Sequence, residues 1–172
     1  MRQLALIATL ITSLTPFAWA WTEPISFHGV PWGASVDQAR EILNAATTVP
    51  SEAFCYGLTC VWDKPVGPVP ARVSFEFEDN RFVRGIVRFD PGHFPAIARV
   101  FVDHYGPPTE GQVPAGGREP GRGDSPLWWR GETVVISLER RDNSNQTGRA
   151  TVTLKQAPDR TATGLGKTPN LR

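Results

Sequence analysis

The chain lacks an excess of charge of either sign. Its 18 Lys and Arg residues stand against 17 Asp and Glu residues, which gives a formal net charge of +1 over 172 residues. Nucleic-acid binding depends on a strong basic excess. The balanced charge therefore argues against nucleic acid as a partner and gives no reason to expect an anionic membrane surface.

The chain also lacks an apolar run long enough to cross a membrane. Residues 4–14 are apolar and follow Arg2, but they fall short of the roughly 20 residues that a spanning helix needs. A proline and the small residues Ala18 and Ala20 come next, which is the pattern of a cleaved export signal. We expect residues 1–20 to be a signal peptide cleaved after Ala20, and the mature protein to be soluble and periplasmic, with no membrane anchor.

Cysteine is scarce, with only Cys55 and Cys60 in the whole chain. Trp21 occupies the new N-terminus where a lipid-attachment cysteine would have to lie. Four residues separate the two cysteines, whereas thioredoxin-type redox pairs have two between them, and the chain lacks further soft ligands for a metal. In an oxidising compartment the pair is predicted to form a structural disulfide that closes a hairpin.

Recognisable catalytic and cofactor motifs are absent as well. The three histidines, His28, His93 and His104, lack the short spacing of a zinc site, and no Gly-x-Ser-x-Gly nucleophile elbow occurs. We therefore expect no metal, no cofactor and no enzymatic activity.

One cluster of carboxylates keeps an enzymatic alternative open. Glu76, Glu78 and Asp79 lie close together in sequence, and paired carboxylates can divide acid and base roles in glycoside hydrolysis. Because Glu76 and Glu78 alternate with buried-type phenylalanines, the sequence favours a solvated strand face over a catalytic pair.

After the predicted signal peptide, the apolar periodicity predicts one domain, residues 21–156. Residues 107–126 are rich in glycine and proline and predict a mobile loop, and residues 157–172 lose all periodicity and predict a disordered tail. The predicted elements are a strand at 25–27, a helix at 36–46, strands at 53–56 and 60–63, a hairpin over 71–90, a helix from about Phe94 to Tyr105, a hairpin over 127–139 and a strand at 151–154. This order predicts an α+β fold, an antiparallel sheet with two helices packed on one face.

The register of the hairpin over 71–90 has two solutions. A two-residue loop at Asp79 and Asn80 sets Phe77 opposite Phe82. A three-residue loop sets Phe77 opposite Val83 and Glu76 opposite Arg84, and we favour it because it pairs opposite charges across the strands.

Four side chains are candidates for binding. Trp128 and Trp129 are adjacent in a predicted strand, so they point to opposite faces, and whichever indole is exposed would be an interface anchor. Tyr56 and Leu58 lie at the tip of the predicted disulfide hairpin.

Four features carry a resemblance that covers residues 25–155. The run Phe27–Ser35, with the early cysteine pair, the phenylalanine-rich hairpin and a helix ending Tyr105-Gly106-Pro107-Pro108, resembles small secreted bacterial proteins of unknown function. The capped opening helix and the Tyr-Gly-Pro ending are also similar to the small outer-membrane assembly lipoproteins and to the β-lactamase inhibitory protein. That resemblance implies helices packed on an antiparallel sheet and a role in binding other proteins.

The sequence therefore predicts a periplasmic binding or interaction module of the cell envelope, whose partner is another envelope protein. The first alternative is an inhibitor or accessory factor of a secreted hydrolase, with the disulfide hairpin inserted into a cleft. The second is a carboxylate-dependent hydrolase.

Overall fold

The computed structural model describes residues 21–46, 53–111, 113, 125–141 and 146–155. The predicted signal peptide, the predicted tail and most of the predicted loop lie outside the described residues. Within the described ranges the strands are β1 Ser26–Phe27, β2 Val30–Pro31, β3 Phe54–Tyr56, β4 Thr59–Asp63, β5 Ala71–Glu78, β6 Arg81–Phe89, β7 Leu127–Arg130, β8 Val134–Glu139 and β9 Gly148–Leu154, and the helices are α1 Val36–Ala45 and α2 Phe94–Tyr105.

The predicted α+β fold is confirmed. Seven strands form one antiparallel sheet in the order β3-β4-β5-β6-β9-β8-β7, and β1 pairs with β2 as a separate small hairpin. Strand β2 is missing from the sequence prediction, which placed only a turn there. The reason is its length: two residues are too few for an alternating pattern to show.

Both helices cover one face of the sheet, where a single hydrophobic core lies. Strand side chains that alternate toward this face pack in one cluster with the buried sides of α1 and α2. Leu43 of α1 and Ile97 of α2 are fully buried in it, and the ring of Phe101 lies 6.0 Å from that of Trp129. Neither helix in the described residues has the length and hydropathy needed to span a bilayer.

The ends of both helices follow their local sequence. The Ser35 hydroxyl accepts from the Gln38 amide, and the Gln38 side chain accepts from the Ser35 amide at 2.9 Å, which is the capping box that the sequence predicts. Helix α2 starts after a 3₁₀ turn with proline in its first turn, and it ends at Gly106, whose φ of +88° an L-residue with a side chain rarely adopts.

The β5–β6 hairpin has the two-residue loop, so the favoured three-residue loop, with Phe77 opposite Val83, is wrong, while the predicted pairing of Glu76 with Arg84 is confirmed. Asp79 and Asn80 both have positive φ and form a two-residue turn, so Phe77 lies opposite Phe82. A bulge between Glu76 and Phe77 then restores the charge pair, with Arg84 opposite Glu76 and its guanidinium 2.9 Å from the carboxylate. Without the bulge, Phe82 and Arg84 would share a face; the extra residue lets the phenylalanine enter the core while the arginine points away.

The small β1–β2 hairpin inserts into the core above β6. The Phe27 ring packs where Gly85 leaves room, since a Cβ on Gly85 would lie 2.3 Å from a Phe27 ring carbon. Its two-residue turn is His28-Gly29, and both residues have positive φ, as a hairpin turn of this length requires. The hairpin thereby brings His28 against the helical side of the sheet.

The chain before β1 is anchored to the far end of the sheet. The Glu23 carboxylate accepts hydrogen bonds from the amides of Glu132, Thr133 and Val134 and from the Thr133 hydroxyl. Burial alone would raise the pKa of Glu23, but these hydrogen bonds outweigh it and hold that pKa below its usual value.

Candidate functional site

Most of the exposed large hydrophobic side chains among the described residues lie on the β3–β4 hairpin, which a disulfide closes. Cys55 and Cys60 lie directly opposite each other and are bonded, so the predicted disulfide is confirmed. The bond is consistent with an oxidising, extracytoplasmic compartment. Gly57 at the turn has a φ of +55°, which suits a glycine.

Three large apolar side chains of this hairpin are exposed. Phe54 is 69% exposed, Tyr56 57% and Leu58 50%, and among the described residues the only other exposed large hydrophobic is Ile25. We call Phe54, Tyr56 and Leu58 the tip surface. The run from residue 54 to residue 60 contains no charged side chain, so this surface is apolar and uncharged.

The tip surface is held in place by strand β5 in addition to the disulfide. The amide of Phe77 in β5 donates to the carbonyl of Leu58 at 3.0 Å. Phe54 and Tyr56 point to the sheet face away from the helices, because the intervening Cys55 points toward the core, and their rings lie 5.9 Å apart. The aromatic side chains are thus displayed on a braced scaffold at the edge of the sheet.

The two tryptophans of β7 occupy opposite faces, as the alternation predicts. Trp129 is fully buried and donates its indole N–H to the Gly106 carbonyl at 2.8 Å, which joins β7 to the end of α2. That indole has no surface to offer a partner. Trp128 is half-buried, with the Arg130 guanidinium 4.3 Å from its ring centroid, so it is the candidate of the pair.

The edge of β7 is covered by the start of the predicted mobile loop. The Thr109 and Glu110 amides donate to the Trp128 carbonyl, and the Trp128 amide donates to the Glu110 carbonyl at 2.9 Å. The Glu110 carboxylate also pairs with Arg130. These two loop residues are therefore anchored, and β7 is not a free edge over this stretch.

A cleft that sequence reasoning missed lies on the helical side of the sheet. The His28-Gly29 turn, the segment 64–67 after β4 and the last turns of α2 enclose a volume of about 410 Å³. Ser26, Lys64, His104 and Tyr105 contribute polar groups to its lining, and the lining contains no Asp or Glu. A volume of this size is typical of a small-molecule site.

Burial and neighbouring charge set the protonation of this cleft. Burial, with smaller contributions from Lys64 and His104, lowers the pKa of His28 to about 4, so its imidazole is neutral at pH 7. Burial raises the pKa of Tyr105 to about 12, so its hydroxyl keeps its proton. The cleft thus presents one ammonium, two imidazoles and two hydroxyls between apolar walls.

His28 and His104 are 76 positions apart, so their spacing carries no motif. The available sequence signal is the pair His28-Gly29 itself, which fits a two-residue hairpin turn between short strands. Such a turn predicts that His28 lies over the sheet. That α2 borders the same cleft opposite His28 follows only from the topology of the whole fold.

The three carboxylates of the hydrolase alternative do not converge in one place. Glu76 is ion-paired with Arg84, while Glu78 and Asp79 line a separate open pocket of about 530 Å³ beside Trp32. Among the described residues no group of three or more His, Cys, Asp or Glu side chains is placed to hold a metal ion.

Comparison with known proteins found no match among family models, curated proteins or solved structures.

Proposed function

We propose that this protein is a non-catalytic binding module of the cell envelope, exported to the periplasm, which contacts another protein through its tip surface. The observation that carries the proposal is the concentration of exposed apolar groups on one braced hairpin. Of the large hydrophobic side chains exposed among the described residues, all but Ile25 belong to the tip surface.

The physical argument is that such a surface is costly to leave in water. Natural edge strands are blunted with charges or proline, yet β3 and its turn carry neither. Aromatic side chains in a rigid setting make efficient anchors, because little conformational entropy is lost when they are buried. A disulfide beneath them supplies that rigidity.

The composition of the tip surface supports one class of partner. A patch of two aromatic rings and one leucine, without charge, complements an apolar cleft on another protein rather than a charged surface.

Trp128 belongs to a separate surface. Strands β3 and β7 lie at opposite edges of the seven-stranded sheet, and six inter-strand spacings amount to about 29 Å. A contact centred on the tip surface therefore leaves Trp128 near its rim or outside it. We assign the anchor role to Tyr56 and Leu58, joined by Phe54.

The second candidate function is an inhibitor or accessory factor of a secreted hydrolase. The exposed position of Tyr56 and Leu58 at a disulfide-closed turn favours it, because such a turn suits insertion into an enzyme cleft. The two functions share the tip surface and differ in one measurement: only an inhibitor or accessory factor changes the catalytic rate of the protein it binds.

The test is site-specific photocrosslinking in the exported protein. A photoreactive side chain replaces Tyr56 in one variant and Ile25 in a control, because Ile25 is 87% exposed but lies outside the hairpin. We expect a defined crosslinked protein from position 56 and none of the same mass from position 25. Identical products from both positions, or none from position 56, would contradict the assignment.

A further inference from the structure

The cleft beside His28 is formed by four separate parts of the chain, one of them Val87 of β6. The β1–β2 turn supplies His28, the segment after β4 supplies Lys64, and α2 supplies Val100 and His104. The turn after β4 is fitted closely to α2, since a Cβ on Gly67 would lie 2.6 Å from a Val100 methyl. The segment after β4 therefore packs closely against α2, and this contact holds two walls of the cleft in place.

The charges of the cleft have one sign. Lys64 contributes an ammonium, and no carboxylate side chain belongs to the lining. The Lys64 Nζ atom lies 4.2 Å from the ring centroid of Trp62 and has no ion-pair partner among the described residues. An anion in the cleft would supply the missing counter-charge.

His28 presents an unused polar group to the same space. Its ring meets the rings of Phe27, Trp62 and Phe75 at centroid distances of 4.6, 6.2 and 6.4 Å, and it has no hydrogen-bond partner among the described residues. A neutral imidazole offers one donor and one acceptor. The turn itself does not demand histidine, because its φ of +49° is adopted at least as well by asparagine or glycine.

Aliphatic and aromatic side chains supply the apolar part of the lining. Val66, Val87, Val100 and Phe101 face the cleft, and Val87 and Phe101 also belong to the core. This combination of one cation, one free imidazole and aliphatic walls matches a ligand with a charged head and an apolar body.

We propose that this cleft binds a small organic anion, a carboxylate joined to an apolar body, with Lys64 pairing with the carboxylate, His28 donating a hydrogen bond to it, and the valines and Phe101 contacting the apolar part. This site is separate from the tip surface, so either proposal stands or fails without the other.

The test uses carboxylates and their neutral amides as probes. The purified protein is titrated at pH 7 with acetate, benzoate and octanoate, and with benzamide and octanamide, while NMR follows backbone amide shifts around residues 26–29, 64–67 and 100–105. We expect saturable shifts in these segments for benzoate or octanoate, at least tenfold weaker binding of acetate, and at least tenfold weaker binding of the matched amide.

Variants separate the roles of the charge and the imidazole. Lys64→Met keeps the apolar stem against Trp62 but removes the charge, and we expect it to weaken carboxylate binding at least tenfold while leaving amide binding within twofold. His28→Asn suits the left-handed turn and is expected to weaken binding of the carboxylate three- to tenfold. Arg99→Gln removes an exposed cation of α2 that is not part of the lining, and we expect it to leave both affinities unchanged.

Three results would overturn the proposal. The first is the absence of saturable shifts in the three segments at up to about 10 mM probe, well above the range of a specific small-ligand site. The second is equal affinity for acid and amide. The third is a Lys64→Met protein, shown to be folded by its amide spectrum, that binds the carboxylate as tightly as the unaltered chain.

Discussion

Replacing His28 by asparagine is predicted to change how stability depends on pH. In the folded protein the pKa of His28 is lowered from 6.5 to about 4, first by burial and then by the positive charges of Lys64 and His104. Asparagine tolerates the same backbone conformation and does not titrate. Lys64, His104 and Tyr105 are kept in the variant, so the comparison changes one side chain of the cleft.

The sign and size follow from proton linkage. As pH falls below 6.5 the unfolded chain binds a proton at His28, whereas the folded protein does not until pH approaches 4. The stability present above pH 6.5 is therefore lost as pH falls through this window. At pH 4.5, where the folded imidazole is still largely neutral, the loss relative to pH 7 is about 2.5 kcal/mol.

The assay is urea unfolding, followed by tryptophan fluorescence, of the unaltered protein and of His28→Asn at pH 7 and pH 4.5. We expect the free energy of unfolding to fall by about 2.5 kcal/mol more in the unaltered protein than in the variant. Loss of ring packing lowers the variant's stability at both pH values alike and does not affect this difference. Parallel pH profiles for the two proteins would refute a buried, neutral His28.

Three further substitutions test how the fold is held together. Gly85→Ala is expected to destabilise the protein by about 2 kcal/mol, because its Cβ would collide with the Phe27 ring; a thermal midpoint equal to or above that of the unaltered protein would show that β1 is not seated there. Glu23→Gln weakens the anchoring hydrogen bonds and is expected to lower the free energy of unfolding by about 1 kcal/mol at pH 7, measured by denaturant unfolding. This cost should shrink as pH falls through the range in which carboxylates titrate, because the lowered pKa of Glu23 adds stability only while the group is ionised. Replacing Cys55 and Cys60 by serine is expected to cost about 2 kcal/mol for so short a loop, and mass spectrometry should find two hydrogens fewer in the native protein than in its reduced form; free thiols in the exported protein would contradict the disulfide.

The order of the large strands and helices could be predicted because each carries a strong local signal. Apolar and polar residues alternate strictly along β5, and α1 begins with a capping box at Ser35. At both places the local preference of the sequence agrees with the tertiary packing. The hairpin register could be predicted only in part. The charge pair between Glu76 and Arg84 was recognisable, but a bulge, which satisfies both the turn and the pair, leaves no mark in the alternation.

The candidate sites also differ in how far local sequence could predict them. The disulfide turn at Tyr56 and Leu58 could be predicted because compartment, cysteine spacing and hairpin are all local properties. Which of Trp128 and Trp129 is buried depends on the pairing of β7 with β8, where Trp129 lies opposite Ile136, and that register is set by the whole core. The cleft could not be predicted from local sequence, because it depends on where α2 lies relative to the β1–β2 turn.

The most direct test of the proposed function uses the partner protein that is captured by crosslinking at position 56. It measures how tightly that partner binds variants of the tip surface. The purified partner is titrated calorimetrically with the unaltered protein, with the combined Phe54→Ser, Tyr56→Ser and Leu58→Ser variant, and with Ile25→Ser as the matched control. Because anchors of this kind dominate binding energy, we predict that the triple variant, with its fold confirmed by circular dichroism, binds at least a hundredfold more weakly and that the control binds within twofold of the unaltered protein. Equal affinity for all three proteins would contradict the assignment of the tip surface as the site of contact.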